Sequence, residues 1–356
     1  MIDRSIVTKT LNISNKRILC ISDIHGNLKA YKEVLKKANY QPGNDCLILL
    51  GDLVEKGPQN LETLHYIMKQ CELEDVHILM GNCDFIAKNV LYSYRLNFLK
   101  NVLKMRKESL IHEMAQAIGL NLNVDMDIYC QTLRKHYLKE LSFLNDAPHV
   151  IVTNDILFTH AALVDEKNFG TDFREVMTTP FFLRTKKTFQ KKVVVGHLPV
   201  TEYCQRIANF DPIYDGQSNV YAIDGGNVVK AAGQLNCLIF DGNTVSHVSY
   251  DDLPEVKVLK DVAGDTALPL FIPWNYSKVE VLEESKNQVY VYSSYLNRNF
   301  WMEKDFLYKE CATDFTNYKI PLQKGESVKL VRIYQKKAQI KKQGLLGWTE
   351  IENLAR

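Results

Sequence analysis

The sequence predicts an α/β fold with a helical insertion and a small β-rich C-terminal domain. Three observations predict it. Short apolar runs alternate with amphipathic helical patterns over the first 80 residues. Residues 85–145 carry helical periodicity without strand signals. From about residue 275 onward short β segments dominate.

Taken in order, Arg17 to Ser22 reads as a buried strand. Asn27 to Lys37 places Leu28, Tyr31, Val34 and Leu35 at helical spacing. Pro42-Gly43-Asn44 is a turn, Cys46 to Leu50 a second strand, Gln59 to Gln70 a second helix and Val76 to Met80 a third strand. Strands joined by helices pair in parallel, because parallel neighbours need long crossovers. Phe85 to Gly119 and Met126 to Leu144 form the insertion. Strands return at Val150–Thr153, Ile156–Thr159, Val193–Val195, Val220–Ile223, Leu235–Phe240 and Val245–Tyr250, the last two joined by the hairpin signal Asp241-Gly242-Asn243. The predicted domains are 1–252 (insertion about 85–145), a Pro- and Gly-containing linker at 253–274, and a small SH3-like β domain at 275–356. Lys336 to Lys342 reads as a solvated hairpin.

Length and composition set outer limits. With 356 residues, 46% hydrophobic and 24% charged, the chain buries a core without staples. A net charge of +2 offers no global field for nucleic acid, which is not an expected partner. No stretch of 18 apolar residues exists, so no membrane partner is expected. None of the eight cysteines forms a C-x-x-C pair, and several sit in apolar runs. Reduced thiols and a cytoplasmic location follow as expectations.

Polar, metal-competent residues recur just after the strands. They are Asp23 and His25, then Asp52, then Asn82, Cys83 and Asp84, then His160, then His197. Ligands in open α/β sheets bind beyond the carboxyl ends of the strands, so these residues should converge on one edge. Each has an ordinary reading when taken singly: a helix cap for Asp23, Asn82 or Asp84, a core histidine for His160, a turn residue for His197. Their shared position after five strands argues otherwise. Two aspartates, an asparagine and three histidines exceed one tetrahedral ion and suit two divalent ions. Manganese is the first choice, and iron or zinc the alternatives. Asp52, leaving the central strand, is the candidate bridge. Such a pair activates a water and clamps a phosphoryl group. Gly26, Gly51, Gly81 and Gly196 stand where sharp turns favour positive φ.

The ordered D-x-H, G-D, G-N, H and G-H segments over residues 22–200 resemble the calcineurin-like metallophosphoesterases. The resemblance covers about residues 16–250. It implies their four-layer fold, a β-sandwich of two sheets flanked by helices. It also implies that Asp23, His25 and Asp52 hold one ion, and Asp52, Asn82, His160 and His197 the other. A phosphate ester would be hydrolysed by the metal-bridging hydroxide. Asp52, Cys83 and Asp84 are the catalytic candidates, and Lys56, Asn82 and Arg174 the substrate-binding ones, with Arg184 an alternative to Arg174.

Two branches of the family pull apart. Gly51 to Gly57 (GDLVEKG), with Ile223-Asp224-Gly225-Gly226 later, looks like the GDxVDRG branch of phosphoprotein phosphatases and symmetrical dinucleoside tetraphosphatases. Yet Glu55 replaces its Asp, and Lys56 replaces its bidentate, phosphate-binding Arg with a point charge. Gly81-Asn82-Cys83-Asp84 is similar to the GNCD segment of small bacterial phosphodiesterases and lacks the imidazole that protonates a leaving alkoxide. The sequence favours a serine/threonine-phosphatase-like monoesterase acting on a phosphorylated protein or small molecule. A phosphodiesterase or dinucleoside-polyphosphate hydrolase is the alternative. A catalytically silent metal-binding scaffold is the reading of another class.

Overall fold

The computed structural model describes residues 2–265 and 267–355. The chain divides into two compact units: Met1–Pro199 with Pro212–Asp251, and Val200–Asp211 with Asp252–Arg356.

The first unit opens with β1 (Thr8–Thr10), β2 (Ile18–Ile21), α1 (Leu28–Lys37), β3 (Cys46–Leu49), α2 (Asn60–Leu73) and β4 (Val76–Ile78). The insertion holds α3 (Ile86–Leu91), α4 (Leu96–Met105), α5 (Leu110–Ala117) and α6 (Met126–Asn145). Then come β5 (Val150–Val152), β6 (Ile156–Thr159), α7 (Phe173–Met177), β7 (Lys192–Val195), β8 (Ile213–Asp215), β9 (Val220–Ala222), β10 (Leu235–Asp241) and β11 (Thr244–Tyr250). One sheet runs β11-β10-β2-β3-β4 and the other β1-β5-β6-β7-β9-β8. Strands β2, β3 and β4 are mutually parallel, and so are β6, β7 and β9. Their carboxyl ends therefore share an edge within each sheet.

The two sheets close on one core. Cys20, Ile48, Leu50 and Leu238 from the first meet Ile151, Phe158, Val194 and Tyr221 from the second. Burial on both faces explains why β2 and β3 read as unbroken apolar runs rather than alternating ones. Helix α1 buries Leu28, Tyr31, Val34 and Leu35, as its periodicity predicts, with Asn27 capping it through Ala30 N.

The insertion differs from the sequence expectation in its breaks. Residues 85–119 form three short helices, interrupted where Ser93 and Arg95 turn left-handed and again at 106–109. Helix α6 is kinked at Tyr137. Strands β1 and β8 and helix α7 were not expected; each is five residues or fewer, too short for a periodic signal.

The second unit holds β12 (Glu255–Lys257), β13 (Phe271–Ile272), β14 (Glu280–Glu284), β15 (Gln288–Ser293), β16 (Arg298–Glu303), β17 (Phe315–Thr316), β18 (Ser327–Tyr334), β19 (Lys337–Lys342) and β20 (Leu345–Glu350). These strands fall in sheets β12-β18-β19-β20, β13-β17 and β14-β15-β16 rather than closing in one small barrel. The 253–274 stretch is not a free linker, because β12 pairs with β18 and β13 with β17. Residues 200–211 also join this unit, with Glu202 accepting from the backbone of Trp274 and Asn275. The lysine run is not solvated throughout: Ala338, Gln339, Ile340 and Lys341 of β19 are buried between β18 and β20. Among the described residues no helix is long and apolar enough to cross a membrane.

Candidate metal centre

Strand ends deliver each candidate ligand. Asp23 and His25 follow β2, Asp52 follows β3, Asn82 follows β4, His160 follows β6 and His197 follows β7. Backbone bonds stitch the loops together: Asp23 N to Gly51 O (3.1 Å), His25 N to Asp52 O (2.9 Å) and Gly196 N to His160 O (2.8 Å). Asp23, His25, Asp52 and His197 all adopt left-handed backbone, with φ of 55°, 50°, 51° and 69°. Such conformations cost about 1–3 kcal/mol each and persist only where surrounding contacts over-determine them.

Gly51 has φ +90°, where a side chain would be strained. Gly81 and Gly196 differ from the expected positive φ. Their need is space, because a Cβ at Gly81 would strike Asp52 and one at Gly196 would strike Ser22 and Asp23.

Side chains then converge. One ligand atom from each of Asp23, Asp52 and His160 lies within 4.8 Å of the others, and so does one from each of His25, Asp52 and Cys83. Asp52 belongs to both groups. His160 Nδ1 donates to Leu50 O (2.8 Å), which leaves Nε2 facing Asn82 Oδ1 (3.1 Å) and Asp52 Oδ1 (3.4 Å). The His197 ring packs 5.1 Å from that of His160, and its backbone N donates to Asp23 Oδ2 (2.9 Å).

The donor set fits divalent cations. In the neutral imidazole, Nε2 of His160 aims a lone pair at two oxygen acceptors, an arrangement that a cation between them resolves. Burial, reinforced by Lys56, holds His25 down at about 3. Burial, reinforced by His160, holds His197 down at about 4. Both rings are therefore neutral, the form in which an imidazole ligates a metal. Burial and the neighbouring Asp52 push Asp23 up to about 7. Burial also acts against ionised Asp52, but His160, His25 and Lys56 outweigh it and hold Asp52 below its usual range. Buried carboxylates crowded like this ask for positive charge.

The remaining candidates divide. Lys56 Nζ lies 3.2 Å from His25 Nε2, inside the site. Cys83 is buried, its thiol pushed well up by burial and by Asp52, while its backbone N donates to Asp52 Oδ1 (2.7 Å). Asp84 departs from the catalytic expectation. Its carboxylate accepts from Leu53 N, Val54 N and Gly81 N, so it braces the two loops. Arg174 is also not free: it forks onto Asp172 on the surface, though it lines the cavity beside Asn82 and Cys83.

Sequence reasoning missed several contributors. Asn227 donates to the carbonyls of Ile24 (2.8 Å) and Asp23 (3.3 Å) and fixes that turn. Asp224 sits buried after β9, pushed well up by burial and Asp23; Ile223-Asp224-Gly225-Gly226 carried the signal but no role. Arg106, from the insertion, lines the same cavity as Asn82 and Cys83, and no motif marks it.

Symmetrical bis(5'-nucleosyl)-tetraphosphatases are among the relatives. That of Chromobacterium violaceum is 37% identical over 19% of this chain and 24% of its own. That of Pseudomonas fluorescens is 30% identical over 71% of each. The first relatives match over 24% to 39% of their own length. A protein serine/threonine phosphatase structure from Saccharomyces cerevisiae aligns with 12% identity over 71% of this chain and 85% of its own, at a TM-score of 0.45. The model of the calcineurin-like phosphoesterases matches residues 16–229, which span every strand end that carries a candidate ligand. That match spans more than half of the sequence, and this chain belongs to the calcineurin-like phosphoesterases.

Proposed function

We propose that this enzyme cleaves phosphoesters and phosphoanhydrides whose leaving group departs as a stable anion, dinucleoside polyphosphates being the substrate class. One observation carries the reading. Beside the candidate metal ligands, where the resembling phosphatases place an imidazole acid, stands the buried Cys83. A thiol, with an ordinary pKa of about 8.5, is a poorer proton donor to an alkoxide at neutral pH than an imidazolium. A nucleotide phosphate leaves without that proton. The symmetrical tetraphosphatase relative matched over 71% of both chains supports the same choice. The sequence-based monoesterase reading shares the machinery and differs in the substrate.

Asp23, His25 and Asp52 would hold one ion, and Asp52, Asn82, His160 and His197 the other. When bound, two such cations acidify a shared water and neutralise phosphoryl charge. The chain's own contribution is positioning. The Cys83 N–H fixes Asp52 Oδ1, Leu50 O fixes the His160 tautomer, and Lys56, beside His25, would set its charge near the bound phosphate.

Cys83→His tests the reading. Restoring an imidazole should raise turnover of alkyl phosphomonoesters more than of p-nitrophenyl phosphate or diadenosine tetraphosphate. An equal change on all three would remove the leaving-group argument. Purified protein carrying two metals per chain but inert on mono-, di- and anhydride substrates would favour the silent scaffold.

A further inference from the structure

In the GDLVEKG loop Glu55 and Lys56 are the two departures from the phosphatase pattern, and the structure ties them to the insertion. Glu55 is fully buried. Its carboxylate accepts from Arg106 Nη1 (2.8 Å), Ser109 Oγ (2.8 Å) and Leu110 N (2.9 Å), and Lys56 N donates to Glu108 O (3.2 Å). These four bonds clamp the α4–α5 link onto the metal-site loop. They hold Arg106 by one terminal nitrogen, and Arg106 lines a cavity of about 250 Å³. Asn82 and Cys83 border that cavity, so it opens onto the metal centre. Arg4, Arg95 and Arg174 line it too, with Phe85 and Phe98 among its apolar walls; Arg95 stacks on Phe98 at 4.6 Å.

We propose that Arg106 binds the leaving group's phosphates, those beyond the scissile bond, and that the apolar cavity behind it receives the attached nucleobase. The inference rests on the nucleotide reading above and deepens it. A planar guanidinium pre-oriented by a buried carboxylate suits bidentate phosphate contact, which the Arg-to-Lys change at Lys56 removed from the loop. Aromatic walls with stacked guanidinium suit a base. Glu55 acts through Arg106 and is a positioning residue.

The test is calorimetric titration of the manganese-loaded full chain with ATP and, separately, with inorganic phosphate. Wild type should hold ATP more tightly than phosphate. Arg106→Ala should weaken ATP by about 10- to 100-fold, the range of a charge-assisted pair, and phosphate by less than about threefold. Arg106→Lys, which keeps the stem and charge, should fall between and serves where the alanine variant loses its melting transition. Glu55→Gln should weaken ATP alone, and less. Equal loss for both ligands, no loss for either, or wild-type binding of ATP no tighter than phosphate would overturn the proposal. Arg106-dependent ATP binding in a protein that does not cleave diadenosine tetraphosphate would fail the proposed function and leave this inference standing.

Discussion

At the strand ends Asp23, His25, Asp52 and His197 hold φ between 50° and 69°, whereas Arg106 of the insertion sits on extended backbone at φ −91°, ψ 125°. The two regions border one cavity but are built by different means. Strand-end ligands are fixed by backbone ladders and by glycines whose missing Cβ makes room for carboxylates. The insertion is attached by side-chain carboxylates, Glu55 and Glu113, that reach across between loops and helix starts. Strained backbone locked by a sheet tolerates little change, while a bolted-on helical segment can vary without disturbing the sheet. The proposed function divides along the same line, with the chemistry at the strand ends and the selectivity in the insertion.

The largest expected effect breaks the first region alone. Asp52→Asn removes the carboxylate common to both ligand groups. An outer partner of a metal ligand typically costs 10–100-fold, so loss of the shared ligand should cost at least about 10³-fold in turnover. Bound metal should fall below two ions per chain. The apo protein should melt no lower than wild type, because a buried charge beside Asp23 is gone. Two retained ions with a tenth of wild-type turnover would deny Asp52 the bridging role.

Much of the strand-end region was legible in the sequence, and for a physical reason. A ligand that must follow a buried strand appears as an apolar run ending in Asp, Asn or His, and that punctuation is local. Asp84 misled because its sequence position matched a catalytic pattern while its carboxylate turned to three backbone donors, a choice made only by tertiary geometry. Arg106 was invisible because its meaning depends on Glu55, 51 positions away. The same holds for β12 and β13, which looked like linker because their partners lie on β18 and β17. Local pattern encodes the chemistry; side-chain pairing across long separations encodes what surrounds it.

A second prediction probes the seam where the insertion returns to the sheet. His149 precedes β5, accepts from Val7 N through Nδ1 (2.9 Å) and stacks on Phe173. Burial, reinforced by Lys88, pulls it from 6.5 down to about 4. The folded state thus prefers the neutral ring. Above pH 6.5 both states are neutral and nothing is lost. As pH falls from 6.5 to about 4 the unfolded chain takes a proton that the folded one refuses, and stability drops by about 3 kcal/mol. His149→Asn keeps an acceptor for Val7 and removes the titration. Urea unfolding from pH 7 to 4 should show a shallower decline in the variant. Parallel slopes would mean that the seam opens to water and the ring is not held neutral.

The smallest effect tests whether the two regions are separable at all. Glu113 of α5 caps α2 from outside, accepting from Asn60 N (2.8 Å), Asn60 Nδ2 (2.7 Å) and Leu61 N (2.7 Å), while Asn60 Oδ1 accepts from Glu55 N (2.6 Å). Glu113→Gln loses the negative charge at a helix N-terminus and one acceptor, worth about 1 kcal/mol. Because the cap leads through Asn60 to Glu55, the change should loosen Arg106 and weaken ATP binding a few-fold. Metal content should stay at the wild-type value, since Glu113 bonds to Asn60 and Leu61 and to none of the candidate ligands. Loss of metal in this variant would show that strand ends and insertion form one cooperative unit, and the division of labour drawn from their different construction would fail with it.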